Sequence, residues 1–515
     1  MLLRLPIMVL ILGGIGILML LPSIYGAILG DWRVSRAFLH ASIFVLFSAG
    51  TVSLLMAGHR EPSPRRELSV LLLSWLVVPA FAAIPVAILS PALGPVGAWF
   101  EMVAAFTTTG GTAFGDLASV PNPVHLWRAL VAWLGGLVTL TAAYVILAPR
   151  RLGGFEVEAA GAVRGSSHQV QQSVTLGAVT VPLEARLYRA LRIILPVYSG
   201  LTFVLALIFT ALGQTGLQSS VHAIAILSTS GISPDIRGIG GAESFFVEFF
   251  AAIFMIFAAS RVLYSGARQG GSARRIKDDP ELRLMLILVG LATLMLFSRH
   301  WVGALTIDLN EANLDAFDAF WGSFFTTLSF LTTTGFESAS WRTARDWSGL
   351  ANPGLLLLGL CAIGGGAAST AGGIKMIRAY ALIRHGMREV ERIARPDSVI
   401  GVGSDMRGMM RQGAVIAWTF IMLFFIALLL TILGLTATGL SFDTALVAAT
   451  AAVANTGPLF TSITPDQLGF SDLSTAPQVI LALAMIAGRI EVLALIAIFN
   501  PDAWRRRGDA TIKHW

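Results

Sequence analysis

Charge is what this chain has least of. Only 13% of its 515 residues are Asp, Glu, Lys or Arg, against 55% hydrophobic, where a soluble domain carries roughly 25% charged residues. So little charge cannot cover a water-exposed surface of this size. The many apolar runs near twenty residues long read instead as a polytopic membrane protein. Cysteine is nearly missing too. The single one, Cys361, lies in an apolar run, which excludes an internal disulfide and a thiolate metal cluster and leaves a small packed side chain. The eight histidines are scattered without ligand spacing, and no Ser/His/Asp set or pair of acids assembles on one element. A membrane-embedded enzyme needs such groups to converge at one depth, so that class is disfavoured.

The net charge of +6 and sequence pI of about 9.9 would raise nucleic acid as a partner of a soluble protein. Sorted by loop, most of the 36 lysines and arginines fall on one side, with Arg4 and the tail Trp504-Arg505-Arg506-Arg507. The positive-inside rule then places both termini in the cytoplasm, and the basic pI needs no nucleic acid.

Glycine, by contrast, is abundant at 52 residues, and one short glycine-bearing stretch is written four times. The copies are Thr107-Thr108-Thr109-Gly110-Gly111, Ser228-Thr229-Ser230-Gly231-Ile232, Thr332-Thr333-Thr334-Gly335-Phe336 and the more divergent Ala454-Asn455-Thr456-Gly457-Pro458. Each ends a short apolar segment and precedes a long one, and the glycines recur roughly 100–120 residues apart, the mark of a repeated unit. The unit reads as membrane helix, half-helix too short to cross, glycine turn, membrane helix. The predicted fold is an all-α polytopic membrane protein with four M1–pore helix–M2 repeats around a central pore, plus two N-terminal transmembrane helices.

In chain order, residues 1–67 hold the N-terminal pair (5–29 and 37–57) and a basic linker; the first span is too long for a signal peptide. Repeat one, 68–185, has spans 68–89 and 124–147 around half-helix 97–109. Repeat two, 186–279, has 188–212 and 245–264 around 217–228. Repeat three, 280–411, has 281–298 and 349–383 around 315–331. Repeat four with the basic tail, 412–515, has 413–433 and 477–499 around 442–452.

Non-helical backbone at membrane depth persists only where protein buries it or water lines it. Four glycine turns meeting at one axis would present carbonyl oxygens there, and rings of such oxygens replace the water shell of a monovalent cation. Half-helices whose C-terminal ends point inward add partial negative charge. The candidate filter is therefore Thr108, Thr109 and Gly110; Thr229, Ser230 and Gly231; Thr333, Thr334 and Gly335; Asn455, Thr456 and Gly457. The hydroxyls can hydrogen-bond the strained backbone. The competing account is that Gly and Thr only pack helices; four copies at matched positions favour the pore.

A second feature interrupts repeat three alone: Gly364, Gly365, Gly366, Ala367, Ala368, Ser369, Thr370, Ala371, Gly372 and Gly373. Each glycine costs a helix about 1 kcal/mol relative to alanine, so a flexible intramembrane loop under the filter, acting as a gate, is expected; close packing through small residues is the alternative. Lys375 follows Ile374, so no phosphate-binding Gly-Lys-Ser/Thr sequence exists. Arg489 lies eleven residues before Asn500, or ~16 Å along a helix, too deep for easy snorkelling. A charge at that depth faces a cavity or a partner. It reads as a barrier in the pore or as half of a structural ion pair; Glu491, two residues on, lies on another face. Glu101 is a similar buried carboxylate in the first half-helix.

The four turn segments, the glycine-rich segment running on into Gly372-Gly373-Ile374-Lys375-Met376-Ile377-Arg378, and Ala487-Gly488-Arg489-Ile490-Glu491-Val492-Leu493 together resemble the superfamily of Trk, Ktr and HKT potassium transporters. The resemblance covers nearly the whole chain and, with two extra N-terminal spans, favours the TrkH-type membrane subunit over Ktr. It implies a multi-pass protein of the bacterial cytoplasmic membrane that takes up potassium by channel-like conduction of K+ and Rb+. The ion would bind at the twelve filter residues, with no covalent cofactor. It also implies a homodimer with one pore per subunit, residues 364–373 as gate, Arg489 as pore barrier, and a cytoplasmic ring of nucleotide-binding TrkA-like regulatory subunits. The alternative is a Na+-permeable or H+/Na+-coupled K+ symporter of the same fold. Relatives with serine at the first filter glycine tend to pass sodium, and Gly110 stands against that.

Overall fold

In hydrocarbon a backbone has no water to bond, so apolar segments satisfy their own N–H and C=O groups as helix. The computed structural model describes residues 7–55, 64–147, 183–235, 238–242, 244–260, 279–303, 312–350, 352–394, 404–464 and 468–490, and among them regular structure is helical throughout. The N-terminal pair is α1 (Ile7–Leu18), α2 (Leu20–Ile28) and α3 (Trp32–Leu55). The first predicted span is thus two helices. Pro22 has no N–H to give the Leu18 carbonyl, although Met19 itself keeps helical angles.

Repeat one comprises α4 (Pro64–Leu89), α5 (Gly94–Phe106) and α6 (Asn122–Ala142). Repeat two comprises α7 (Leu183–Ala211), α8 (Gly216–Ser228) and α9 (Phe245–Ala259). Repeat three comprises α10 (Pro280–Gly303), α11 (Ala312–Leu331), the short α12 (Trp341–Ser348), α13 (Gly354–Ile363) and α14 (Met376–Ala394). Repeat four comprises α15 (Ser404–Ala437), α16 (Phe442–Val453), α17 (Pro458–Ile463) and α18 (Thr475–Ile490). Among the described residues, seven helices are long and apolar enough to cross a membrane: Met8–Ile28, taken through the break, Trp32–Leu55, Val70–Leu89, Asn122–Val145, Ala185–Ala211, Pro280–Ser298 and Gly413–Ala437. The chain is an all-helical, polytopic membrane protein.

The second helices of repeats two and three are shorter than their apolar runs. α9 stops at Ala259 because Ser260 turns extended, at φ −101° and ψ 134°. The span expected over 349–383 is two helices separated by residues 364–375, as the glycine cluster predicts. Residues 491–515 lie outside the described residues, and so do Glu491, the arginine tail and most of the connections over 149–185 and 266–279.

How the elements pack sets the order of the repeats. Each half-helix (α5, α8, α11, α16) lies on the first helix of its own repeat and on the second helix of the preceding one: α5 on α18, α8 on α6, α11 on α9, α16 on α13. Repeat four therefore adjoins repeat one, and the four close a ring. The N-terminal helices flank this ring at repeat one, where α1 and α3 touch α4 and α2 touches α6. Glycine permits the tightest of these crossings. A Cβ at Gly135 of α6 would sit 1.8 Å from the Phe106 carbonyl oxygen at the end of α5, so α6 approaches that helix end as only a residue without a side chain can.

Candidate functional site

All four half-helices end in the same cap. The N–H groups of Thr109, Ser230, Thr334 and Thr456 donate to the carbonyls of Ala104, Ala225, Ser329 and Ala451 at 2.8, 2.8, 2.9 and 2.8 Å. Those of Thr108, Thr229, Thr333 and Asn455 donate to Ala105, Ile226, Phe330 and Ala452 at 2.9, 3.1, 3.1 and 3.1 Å. This paired pattern is a Schellman cap, which needs a left-handed residue at its first position. Here that residue is never glycine: φ is 54° at Thr108, 53° at Thr229, 58° at Thr333 and 53° at Asn455. A β-branched residue held there is a genuine outlier, at roughly 1–2 kcal/mol each. Strain of this kind at three threonines, with Asn455 left-handed at the fourth matched position, marks a functional site.

Side chains hold three of the caps in register. Thr107 and Thr109 share a hydroxyl hydrogen bond at 2.7 Å, Ser228 and Ser230 one at 3.0 Å, and Thr332 and Thr334 one at 3.2 Å. Ala454 cannot contribute to a fourth. Instead Asn455 Nδ2 donates to Thr109 Oγ1 at 3.0 Å and to the Met485 carbonyl at 2.9 Å.

The glycines lie where the turns meet. A Cβ at Gly110 would fall 1.7 Å from the Ser230 carbonyl oxygen, one at Gly231 2.1 Å from that of Thr334, one at Gly335 3.0 Å from the Pro458 ring, and one at Gly457 2.2 Å from the Gly111 nitrogen. The sequence of contacts runs one to two, two to three, three to four, four to one. Gly110, Gly231 and Gly335 are also left-handed, at φ 75°, 63° and 83°. Gly457 departs from the pattern at φ −58° and ψ −42°, because Pro458 starts α17 directly after it. A residue before proline avoids this region when it carries a Cβ; Gly457 carries none. Its N–H donates to the Thr109 carbonyl at 2.6 Å, closing the ring.

The glycine-rich segment sits against this ring and is pinned there rather than free. Gly372 N–H donates to Thr333 Oγ1 at 2.8 Å, and Thr370 Oγ1 to the Leu227 carbonyl at 3.1 Å. Gly366 N–H donates to the Ala259 carbonyl at 3.1 Å, and a Cβ on Gly372 would strike the Ala454 carbonyl at 2.0 Å. Gly364, Ala368, Gly373 and Lys375 are left-handed, and Gly365, Ala367, Ser369 and Ala371 are buried. One loop of repeat three thus touches the half-helix ends of repeats two, three and four.

Arg489 is buried, and its Nη2 donates to Thr108 Oγ1 and to the Thr370 carbonyl. Its hydrogen-bond partners among the described residues are a hydroxyl and a carbonyl, not a carboxylate. Glu101 belongs to a different arrangement. It pairs with Arg128 Nε at 2.5 Å and accepts from Ala113 N–H at 2.7 Å, behind the first turn.

Two acids escaped the sequence reading. Glu281 Oε1 accepts from Ala367 N–H in the loop at 2.9 Å. Glu248 accepts from Ser338 Oγ, Ala339 N–H and Trp321 Nε1, each at 2.7 Å. An isolated carboxylate in an apolar helix was the available signal for Glu248; Glu281, beside Asp279 and Arg283 in the sequence, carried no such signal.

Four re-entrant half-helices, capped alike and closed into a ring within an all-helical polytopic chain, define a membrane transport protein. The chain belongs to the TrkH family of cation transport proteins, whose family model matches residues 35–505; this is a family of transporters, not of enzymes. The chain is similar to the Trk system potassium uptake protein TrkH of Halomonas elongata, 28% identical over 471 residues, covering 89% of this chain and 91% of that protein. It is 27% identical over 500 residues to the Trk system potassium uptake protein TrkH of Escherichia coli K12, covering 95% and 96%. The crystal structure of the potassium transporter TrkH from Vibrio parahaemolyticus shares its fold, with a TM-score of 0.75 at 24% identity over 96% of this chain and 98% of that one.

Proposed function

We propose that this chain takes up potassium across the bacterial cytoplasmic membrane, conducting K+ and Rb+ in channel-like fashion through the four turns. The observation that carries the reading is the contact order of Gly110, Gly231, Gly335 and Gly457: each meets the next turn, three of them without room for a side chain and Gly335 at a tight 3.0 Å from the Pro458 ring. A ring of backbone carbonyls at half-helix C-termini suits a weakly hydrated monovalent cation and repays little of the dehydration of a divalent one. The relatives' names as potassium uptake proteins support the choice of ion. Residues 364–373 are the gate and Arg489 the electrostatic barrier beneath the filter. The division into residues 1–67, 68–185, 186–279, 280–411 and 412–515 follows the repeats. Both termini are cytoplasmic, the chain works as a homodimer, and TrkA-like nucleotide-binding subunits act on the gate from the cytoplasm.

The test is isotope flux of purified protein in liposomes with potassium, rubidium and sodium, with and without an imposed proton gradient. Potassium and rubidium flux exceeding sodium flux, independent of the proton gradient, is expected. Equal sodium flux, or uptake that requires a proton or sodium gradient, would replace this reading with the sodium-permeable or coupled transporter of the same fold.

A further inference from the structure

Counting back from the glycines exposes a second repeated position. Nine residues before Gly110, Gly231, Gly335 and Gly457 stand Glu101, His222, Thr326 and Ala448. The first three are polar and essentially inaccessible, at 1%, 2% and 0% exposure, and each reaches the limb of chain that leaves its own turn. Glu101 Oε2 accepts from Thr112 Oγ1 at 3.1 Å and from Ala113 N–H at 2.7 Å. His222 Nε2 lies 3.1 Å from Ser233 Oγ. Thr326 Oγ1 accepts from Ser338 N–H at 3.3 Å. Thr112 and Ser233 stand two residues past the glycine, Ala113 and Ser338 three.

The spacing has a geometric cause. Five helical residues rise ~7.5 Å, and two or three extended residues run back ~7–10 Å. A side chain one and a half turns up the half-helix therefore stands level with the departing limb. Ala448 has no polar atom to offer, and the fourth limb does not need one: after Gly457 the chain is already helical, as α17. Polar groups stand where the limb is irregular, and alanine where it is not.

We propose that Glu101, His222 and Thr326 are positioning residues that hold the outer limbs of the first three filter segments and so set the discrimination between potassium and sodium. The proposal rests on the potassium reading above. A carbonyl ring rejects the smaller ion to the extent that it resists contracting around it. A limb tied to the half-helix resists; an untied limb follows the ion inward. None of the three residues touches the ion. The ties extend outward as well: Glu101 is ion-paired with Arg128, and Glu248 of repeat two holds Ser338 and Ala339 of repeat three.

The experiment compares potassium and sodium flux in the same liposomes for wild type and five single variants of the full chain. Thr326→Val removes one hydroxyl at constant shape and should lower the potassium-to-sodium ratio roughly fivefold, about the 1 kcal/mol of one net hydrogen bond. Thr326→Ser should restore it. Thr327→Val is the packing control: its hydroxyl bonds to the Ser323 carbonyl inside the same helix and to Thr293, and the ratio should stay at the wild-type value. Independently, His222→Leu should lower the ratio and His222→Gln, whose amide can still meet Ser233, should keep it. If Thr326→Val gives no folded protein, the His222 pair decides. Wild-type ratios in Thr326→Val and His222→Leu, or an equal fall in Thr327→Val, overturn the proposal while leaving potassium transport standing. Absence of potassium flux in the wild type removes the transport reading and this proposal with it.

Discussion

The guanidinium of Arg489 donates to the hydroxyl of Thr108, a residue 381 positions earlier in the chain. The same nitrogen donates to the carbonyl of Thr370. Thr108 is the left-handed cap of the first turn, and Thr370 belongs to the glycine-rich loop. One side chain of repeat four thus joins the turn of repeat one to the loop of repeat three, and its charge is fixed at the junction by both bonds.

Removing that charge should speed flux. A fixed positive charge opposes a cation passing at ~8 Å by on the order of 2 kcal/mol at an effective dielectric of ~20. Arg489→Ala is expected to raise liposome potassium flux about tenfold or more and to lower the potassium-to-sodium ratio. A variant that folds with unchanged flux would assign Arg489 to structure alone.

Deleting residues 365–369 removes the Gly366–Ala259 and Ala367–Glu281 bonds and shortens the segment beneath the turns. Potassium flux without any regulatory subunit should rise severalfold, approaching the rate of gate-independent conduction. Flux at or below wild type in monodisperse protein would count against a gating role.

Gly110→Ser tests the ring itself. The new Cβ meets the Ser230 carbonyl at 1.7 Å, at a φ of 75°. That carbonyl must move, so the potassium-to-sodium ratio should fall several-fold while the protein still purifies as folded particles. An unchanged ratio returns Gly110 to helix packing.

Gly135→Ala should destabilise without touching the filter directly. The added methyl collides with backbone of α5 at 1.8 Å, and backbone cannot swing aside as a side chain does; overpacking costs typically ~1–3 kcal/mol. A clear drop in Tm in detergent is expected. Gly290→Ala, with nothing within 4 Å of the new Cβ, should leave Tm unchanged or slightly raised. Equal Tm values for the two variants would contradict the packing argument.

Outside the membrane spans, burial pushes the Glu337 carboxyl up from its ordinary value, while a hydrogen bond with Ser462 and the charge of Arg345 pull it down. A raised folded value means that the folded protein keeps a proton the unfolded chain has released. Stability is then fully present below about pH 4.5, the ordinary value, and falls as pH rises from there through the folded value. Glu337→Gln should flatten that part of the profile. Thermal melts across mildly acidic to neutral pH check it; identical slopes for wild type and variant would show that Glu337 is not the group responsible.

Much of this molecule is legible along the chain because hydropathy and glycine are local properties. A twenty-residue apolar run must become a helix in hydrocarbon wherever it lies, and the half-helices declare themselves by being too short. Gly110, Gly231, Gly335 and Gly457 could be singled out because the stretch that carries them recurs four times at the end of a short apolar segment, and the loop over 364–373 because no helix tolerates its glycines. Other features had no local sign. Threonine prefers extended backbone, so nothing in Thr108, Thr229 or Thr333 announces a left-handed cap; the cap forms because two backbone bonds at each helix end outweigh the residue's own preference. Gly457 looks like its three counterparts in one dimension and differs from them in three, since Pro458 begins a helix there. Nor could the chain alone assign Arg489 to Thr108 and Thr370, or Glu281 to Ala367. Those partners are set by which second helix packs on which half-helix, and that order exists only once four repeats have closed on one another.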